Sequence, residues 1–238
     1  MDGKVRLVKR AVDLIGGAVG LALTAPLYPV IAAAIRLDSP GPIFYRQKRA
    51  GMLGPEGDHT TVPTFEMFKF RTMRTDAEKV SGAVLARAGD PRVTRVGKFL
   101  RKTRLDEIPQ FLNVLKGQMS IVGPRPERPE LIKHLALAVP MFHERARMVK
   151  PGITGLAQIE LDYTGRIGPS NPLFAHKDEL INPFKLEGVD DSDADDMRTK
   201  MLFDFAYAAT LENFWEWVKL ESRIIVKTPM IMVLGRGR

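Results

Sequence analysis

The sequence predicts an α/β fold dominated by helices, a single domain with a small β-hairpin and an N-terminal helix suited to a membrane. Three observations carry this. Leu14 to Ile35 is an apolar run of 22 residues without a charge. Two short aromatic segments, Ile43 to Arg46 and Thr64 to Arg71, flank a Gly- and Pro-rich stretch from Gly51 to Pro63, the pattern of two strands joined as a hairpin. Elsewhere apolar residues recur at helical spacing. With 238 residues, 45% apolar and 27% charged, the chain suits one domain plus a membrane element rather than a disordered or multi-spanning protein.

The apolar run is long enough for one membrane span, which needs about 20 residues. It is long for a signal sequence, and no convincing A-x-A site precedes a mature-looking start. Two features oppose a straight span. Pro26 and Pro29 each remove a helical hydrogen bond and crowd the preceding turn. Both flanks are basic: Lys4, Arg6, Lys9 and Arg10 before, Arg36, Arg46, Lys48 and Arg49 after. The positive-inside tendency pulls both ends to the same face. A helix broken at Pro26 that enters and leaves on one face satisfies both facts, with Thr24 as a partner for freed backbone groups. A kinked span or a buried core helix remains open at this point. The expected boundary places the membrane helix at residues 1–37 and the domain at 38–238.

Asp38-Ser39-Pro40-Gly41-Pro42 punctuates the chain and ends the apolar element. Val93 to Arg104 reads as a basic helix. Ile108 to Lys116 reads as another, with Ile108, Phe111, Leu112 and Leu115 on one face and Gly117 as its stop. Leu131 to Val149 is expected to be helical with an interruption at Pro140, and Asp162 to Met197 to be a long loop. Leu202 to Val233 returns to amphipathic helix, where Trp215 and Trp217 fit either a membrane interface or ordinary packing.

There are no cysteines, which excludes disulfides, thiolate catalysis and Cys-based zinc sites. The acidic run from Asp190 to Asp196 lacks EF-hand spacing and reads as a solvated loop. The formal charge of +8 suits anionic partners. Its cations cluster around the apolar run and one acidic pair, which favours lipid headgroups and phosphorylated substrates over nucleic acid.

That pair is Asp106-Glu107, preceded by Arg101, Lys102 and Arg104 at an apparent helix start. Helix N-termini favour anions, and nearby cations lower a carboxylate pKa. An ionised aspartate can attack phosphorus, and a neighbouring carboxylate can hold magnesium beside phosphate oxygens. Thr103-x-x-Asp106 also matches a capping box, a purely structural reading of the same residues. Downstream, two prolines bracket Arg125 in Gly123-Pro124-Arg125-Pro126, which fixes the backbone for phosphate recognition or simply makes a rigid turn. Lys150-Pro151-Gly152-Ile153-Thr154-Gly155 allows close backbone approach, to a ligand or within a tight turn.

Taken together and in order, these segments resemble the bacterial sugar transferase family, the monotopic phosphoglycosyl transferases. The resemblance runs through Lys9-Arg10-x-x-Asp13, Ser39-Pro40-Gly41-Pro42, Gln47, Arg49-x-Gly51, Phe68-Lys69-Phe70-Arg71-Thr72-Met73, Thr103 to Glu107, Pro109 to Pro126 and Lys150 to Gly155. It implies transfer of a phospho-sugar from a UDP-sugar to a polyprenyl (undecaprenyl) phosphate, with release of UMP, as an opening step of polysaccharide or glycoconjugate assembly. It implies Asp106 as nucleophile and Glu107 as its partner, both near a magnesium ion, and Arg101, Arg125, Lys69 and Arg166 as phosphate contacts. It also implies a re-entrant helix broken at Pro26, interfacial amphipathic helices in contact with membrane lipid, and the cytoplasmic face of the inner membrane. The chain resembles the family's minimal catalytic unit, and a homodimer is compatible with it. Two other readings stay open: a membrane-anchored basic binding protein, and a membrane nucleotide-sugar hydrolase.

Overall fold

The computed structural model describes residues 1–56, 62–77, 90–139, 141–161, 167–168, 171–176 and 193–234. Helix α1 spans Gly3–Thr24 and α2 spans Leu27–Asp38. A hairpin follows, β1 Phe44–Ala50 against β2 Thr64–Phe70. Then come α3 Arg95–Lys102, a 3-10 turn Leu105–Gln110, α4 Phe111–Leu115, β3 Ser120–Val122 and α5 Pro129–Ala138. A second 3-10 turn Phe142–Ala146 leads to β4 Gly152–Thr154, α6 Leu156–Glu160 and a third 3-10 turn Pro172–His176. Helices α7 Asp193–Thr210 and α8 Phe214–Leu234 close the described chain. The fold is thus mostly helical with two two-stranded sheets, one more than the sequence predicted: β3 pairs in parallel with β4.

The N-terminal helices are bent by 61° at Ala25-Pro26. Pro26 has no N–H to continue the ladder. Ala25 N–H still reaches Leu21 O, and the Thr24 hydroxyl donates back to Gly20 O within the last turn, not to Ala22 O, the carbonyl that Pro26 leaves without its helical donor. No single described helix is long and apolar enough to cross a membrane; the bent pair passes that test only together. One face of α1 is buried at four-residue spacing through Val5, Lys9, Asp13 and Gly17. The outer face leaves Leu7, Ile15, Val19 and Leu23 exposed, continued on α2 by Val30 and Leu37.

Polar groups dock α1 on the domain. Lys9 Nζ donates to Val122 O at 2.9 Å and to Glu221 Oε1 at 2.7 Å. Asp13 Oδ1 accepts from the Ser120 hydroxyl and from Ile121 N–H. Arg10 donates to Val114 O and Leu115 O at the end of α4, where Val114 O also accepts from Gly117 N–H. Gly117, with φ of 76°, then stops α4 as expected.

The hairpin register pairs Phe44 with Phe70 and Ala50 with Thr64. Tyr28 of α2 packs edge-on against Phe70, which stacks on Phe44. Arg71 secures the Ser39–Pro42 turn by donating to Ser39, Pro40 and Pro42 oxygens. The largest apolar cluster joins Val5, Val122, Tyr207, Leu211, Trp217 and Ile224, so both chain ends pack around β3. Each such side chain buried adds roughly 1.5–3 kcal/mol.

Two expectations are corrected, on the C-terminal helix and on the loop, and the tryptophans are placed. The single C-terminal helix is two, broken at Leu211–Asn213, where the Asn213 side chain caps α8. Of its tryptophans, Trp217 is packed in the core and Trp215 is exposed. The predicted loop over 162–197 is helical from Asp193; its 162–166, 169–170 and 177–192 portions lie outside the described residues, as does 57–61 of the hairpin connection.

Candidate active site

Strand period places Lys69 beside Phe65 and Met67 on the inward face of β2. A lysine there lies among core residues and needs a partner. Asn113, fully buried, sets the partner's position. Its Oδ1 accepts from Phe68 N–H, and its Nδ2 donates to Glu66 O and Gln118 Oε1. This ties α4 to the β2 backbone and brings the preceding 3-10 turn against Lys69.

The turn itself is set by Arg104, a non-glycine residue at φ of 58°. That reversal ends α3 and begins the 3-10 turn, in which Asp106 to Gln110 are all buried. Thr103 donates its hydroxyl back to Phe99 O and does not cap the turn, so the capping-box reading of Asp106 fails.

The two carboxylates have different surroundings. Glu107 Oε1 lies 2.8 Å from Lys69 Nζ, 3.1 Å from an Arg125 terminal nitrogen and 3.9 Å from Arg104. Asp106 Oδ1 is buried without a hydrogen-bond partner. Burial pushes the Asp106 carboxyl up, the Glu107 charge adds to this, and Lys69, Arg101 and Arg104 offset only part of it. Burial also opposes ionisation of Glu107, but Lys69, Arg125 and Arg104 outweigh it and hold that carboxyl well below its ordinary value. The cations therefore act on the glutamate. The expectation that they would depress the aspartate is corrected, because the direct contacts all converge on Glu107.

Lys69 and Arg125 thus meet at the dyad. Arg101 is nearby but donates through Nε to the Thr72 hydroxyl at 2.8 Å. Arg166 lies outside the described residues. Pro26 sits at the helix break between α1 and α2. The Gly-rich segments resolve structurally: a Cβ on Gly152 would fall 2.2 Å from Gly123 N, and one on Gly155 2.3 Å from Gly123 O. Those glycines let backbone approach backbone, not a ligand.

The chain matches the bacterial sugar transferase family model over residues 4–235, a range that includes the dyad, Lys69 and Arg125. The chain belongs to the bacterial sugar transferase family. Among its relatives, a UDP-N-acetylgalactosamine-undecaprenyl-phosphate N-acetylgalactosaminephosphotransferase of Aeromonas hydrophila is 36% identical over 97% of this chain and 44% of its own length. A UDP-glucose:undecaprenyl-phosphate glucose-1-phosphate transferase of Escherichia coli is 45% identical over 67% of this chain and 32% of its own. An exopolysaccharide production protein of Rhizobium leguminosarum is 40% identical over 69% of this chain and 78% of its own. The chain therefore spans less than half of the first two relatives.

Sequence reasoning missed Asn113 and left Arg49 and Arg145 without a role. Arg49 was legible as part of the basic flank and of the Arg49-x-Gly51 pattern; it donates to Pro126 O and to Gln47 Oε1. Arg145 carried no motif signal.

Proposed function

We propose that this family member transfers a phospho-sugar from a UDP-sugar to a polyprenyl phosphate through a covalent intermediate on Asp106. The observation that carries the reading is the divided dyad: Glu107 is neutralised by Lys69 and Arg125, while Asp106 keeps an unpartnered oxygen. The relatives' names, with their UDP-sugar donors and undecaprenyl phosphate acceptors, support the substrate class.

In the first step an Asp106 carboxylate oxygen bonds to the β-phosphorus. The bond from that phosphorus to the bridging oxygen breaks, and UMP leaves with that oxygen. In the second step a polyprenyl phosphate oxygen bonds to the same phosphorus, and Asp106 departs as a carboxylate. Arg125, with a side chain about 40% exposed, faces the incoming diphosphate, and Lys69 fixes Glu107 beside it. Aligning the attacking oxygen lowers the barrier by removing orientational freedom.

Magnesium fits this donor set. Asp106 Oδ1 is buried without a hydrogen-bond partner beside the Glu107 carboxylate, and magnesium binds through one or two carboxylates and substrate phosphates. Asp106 and Glu107 would hold it, and it would supply positive charge for the diphosphate and favour ionised Asp106.

The membrane reading belongs to the same proposal. The bent α1–α2 pair enters and leaves one leaflet at the cytoplasmic face, with Ile15, Val19, Leu23 and Val30 towards lipid. Such a pose brings a soluble nucleotide donor and a lipid-borne acceptor to one surface.

UMP release from a panel of UDP-sugars by nanodisc-held protein, with magnesium and undecaprenyl phosphate, tests the mechanism. Sustained turnover needs the lipid, and Asp106→Asn loses more than about a thousand-fold. Sustained UMP release without the lipid indicates hydrolysis instead. Wild-type rates in Asp106→Asn sink the covalent step.

A further inference from the structure

The segment Val122–Glu127 is held carbonyl by carbonyl. Val122 O accepts from Lys9 and the Tyr207 hydroxyl. Pro124 O accepts from Gly152 N–H, and Glu127 O from Ala50 N–H. Pro126 O accepts from Arg49 and Arg125 O from Arg145, the latter at 2.9 Å. With Pro124 and Pro126 on either side, the Arg125 peptide has little freedom left except through its carbonyl's grip.

Arg145 is an unusual grip. Its side chain is 5% exposed and its guanidinium lies over the Phe142 ring, with 4.9 Å to the centroid. Nε lies 2.8 Å from Asp204 Oδ2, and Nη1 lies 3.7 Å from Glu127 Oε1. Asp204, on α7, is 2% exposed. Tyr207 lies one turn along α7 and reaches Val122 O. One helix therefore bears on the segment twice, at Val122 O directly and at Arg125 O through Arg145. A buried ion pair of this kind is weak evidence for stability, because two well-packed apolar side chains do as well.

We infer that Asp204 and Arg145 are positioning residues: Asp204 orients the Arg145 guanidinium, which fixes the Arg125 carbonyl and thereby aims the Arg125 side chain at Glu107 and the donor diphosphate. The inference rests on the proposed role of Arg125 as a diphosphate contact. Arg145 touches no reacting atom; it acts through the backbone of Arg125. Loss of the grip lets Arg125 shift, and a misplacement of about 1 Å in such a contact costs up to about a hundred-fold in rate.

The test is a cycle between the ion pair and Arg125 in the full chain held in nanodiscs. Arg145→Met and Asp204→Leu are introduced together, removing both charges, in wild-type and Arg125→Ala backgrounds. Arg145→Lys, which keeps the charge but cannot span both partners, is run in the same two backgrounds and decides the matter if the double substitution does not fold. The expected result is a fall in kcat/KM of about 10- to 100-fold when Arg125 is present and less than about 3-fold when it is absent. Equal losses in both backgrounds, or no loss in either, overturn the inference, because a merely structural pair would not distinguish them. The cycle is also read on UDP affinity by calorimetry, which needs no turnover. Coupling in UDP affinity with no turnover in the wild type leaves the positioning role standing and removes the catalytic reading. Absence of UDP binding to the wild type overturns both.

Discussion

Replacing Lys9 by methionine removes one charge from a buried pair. The Lys9 and Glu221 side chains are 9% and 4% exposed, with their charged atoms 2.7 Å apart. Methionine fills the space of the lysine stem, so little packing is lost. Glu221 keeps two neutral donors on Oε2, the Tyr207 hydroxyl at 2.8 Å and the Trp217 indole at 3.0 Å. It loses its only cation within contact distance among the described residues, and Val122 O keeps only the longer bond from Tyr207 at 3.3 Å. Leaving a buried charge without its partner costs about 3–5 kcal/mol. Glu221→Gln strands the ammonium instead and costs a similar amount. The double variant strands neither charge and is expected to be no less stable than either single, a coupling of about 3 kcal/mol. Guanidinium unfolding followed by tryptophan fluorescence measures this directly, since Trp217 sits on Glu221. If the two single losses add to within about 0.5 kcal/mol, the charges do not act on one another and the docking account of α1 is wrong.

Asp204 gives stability a pH slope. Burial, only partly offset by Arg145, raises its carboxyl from 3.8 to about 6. Between those values the unfolded chain has released the proton and the fold retains it, so unfolding free energy falls as pH rises, by roughly 3 kcal/mol across the window; denaturant melts from pH 4 to 7 should show the slope, and Asp204→Asn should flatten it. Gly20→Ala places a methyl group 2.5 Å from the Phe111 ring. The ring must move, at a cost of about 1–3 kcal/mol, which thermal unfolding would show as a lower Tm. The chain has no cysteine, so single probes are clean. Lys4→Cys and Arg46→Cys should label from the same side of sealed vesicles, whereas labelling from opposite sides would replace the re-entrant pose with a span.

What could be read in the sequence divides along a physical line. Elements governed by local chemistry were visible: the break at Pro26, the stop at Gly117 and the hairpin, whereas Lys69 entered only through the family resemblance. The dyad was visible because two adjacent acids among cations are rare enough to notice. Which acid those cations serve was not visible, because it depends on Lys69 and Arg125 arriving from two remote segments at one Glu107 oxygen. The same holds for Lys9, whose charge looked like a topology signal on a membrane flank and is instead buried against Glu221. A cation in a sequence carries its sign but not its partner. The charges that organise this site were each legible, and the pairing that assigns their roles is a property of the closed fold. Asn113 makes the point most sharply: a polar residue within an apolar helical pattern reads as a surface position, yet it is fully buried and carries the two bonds that bring strand β2 to the dyad, with a third to Gln118.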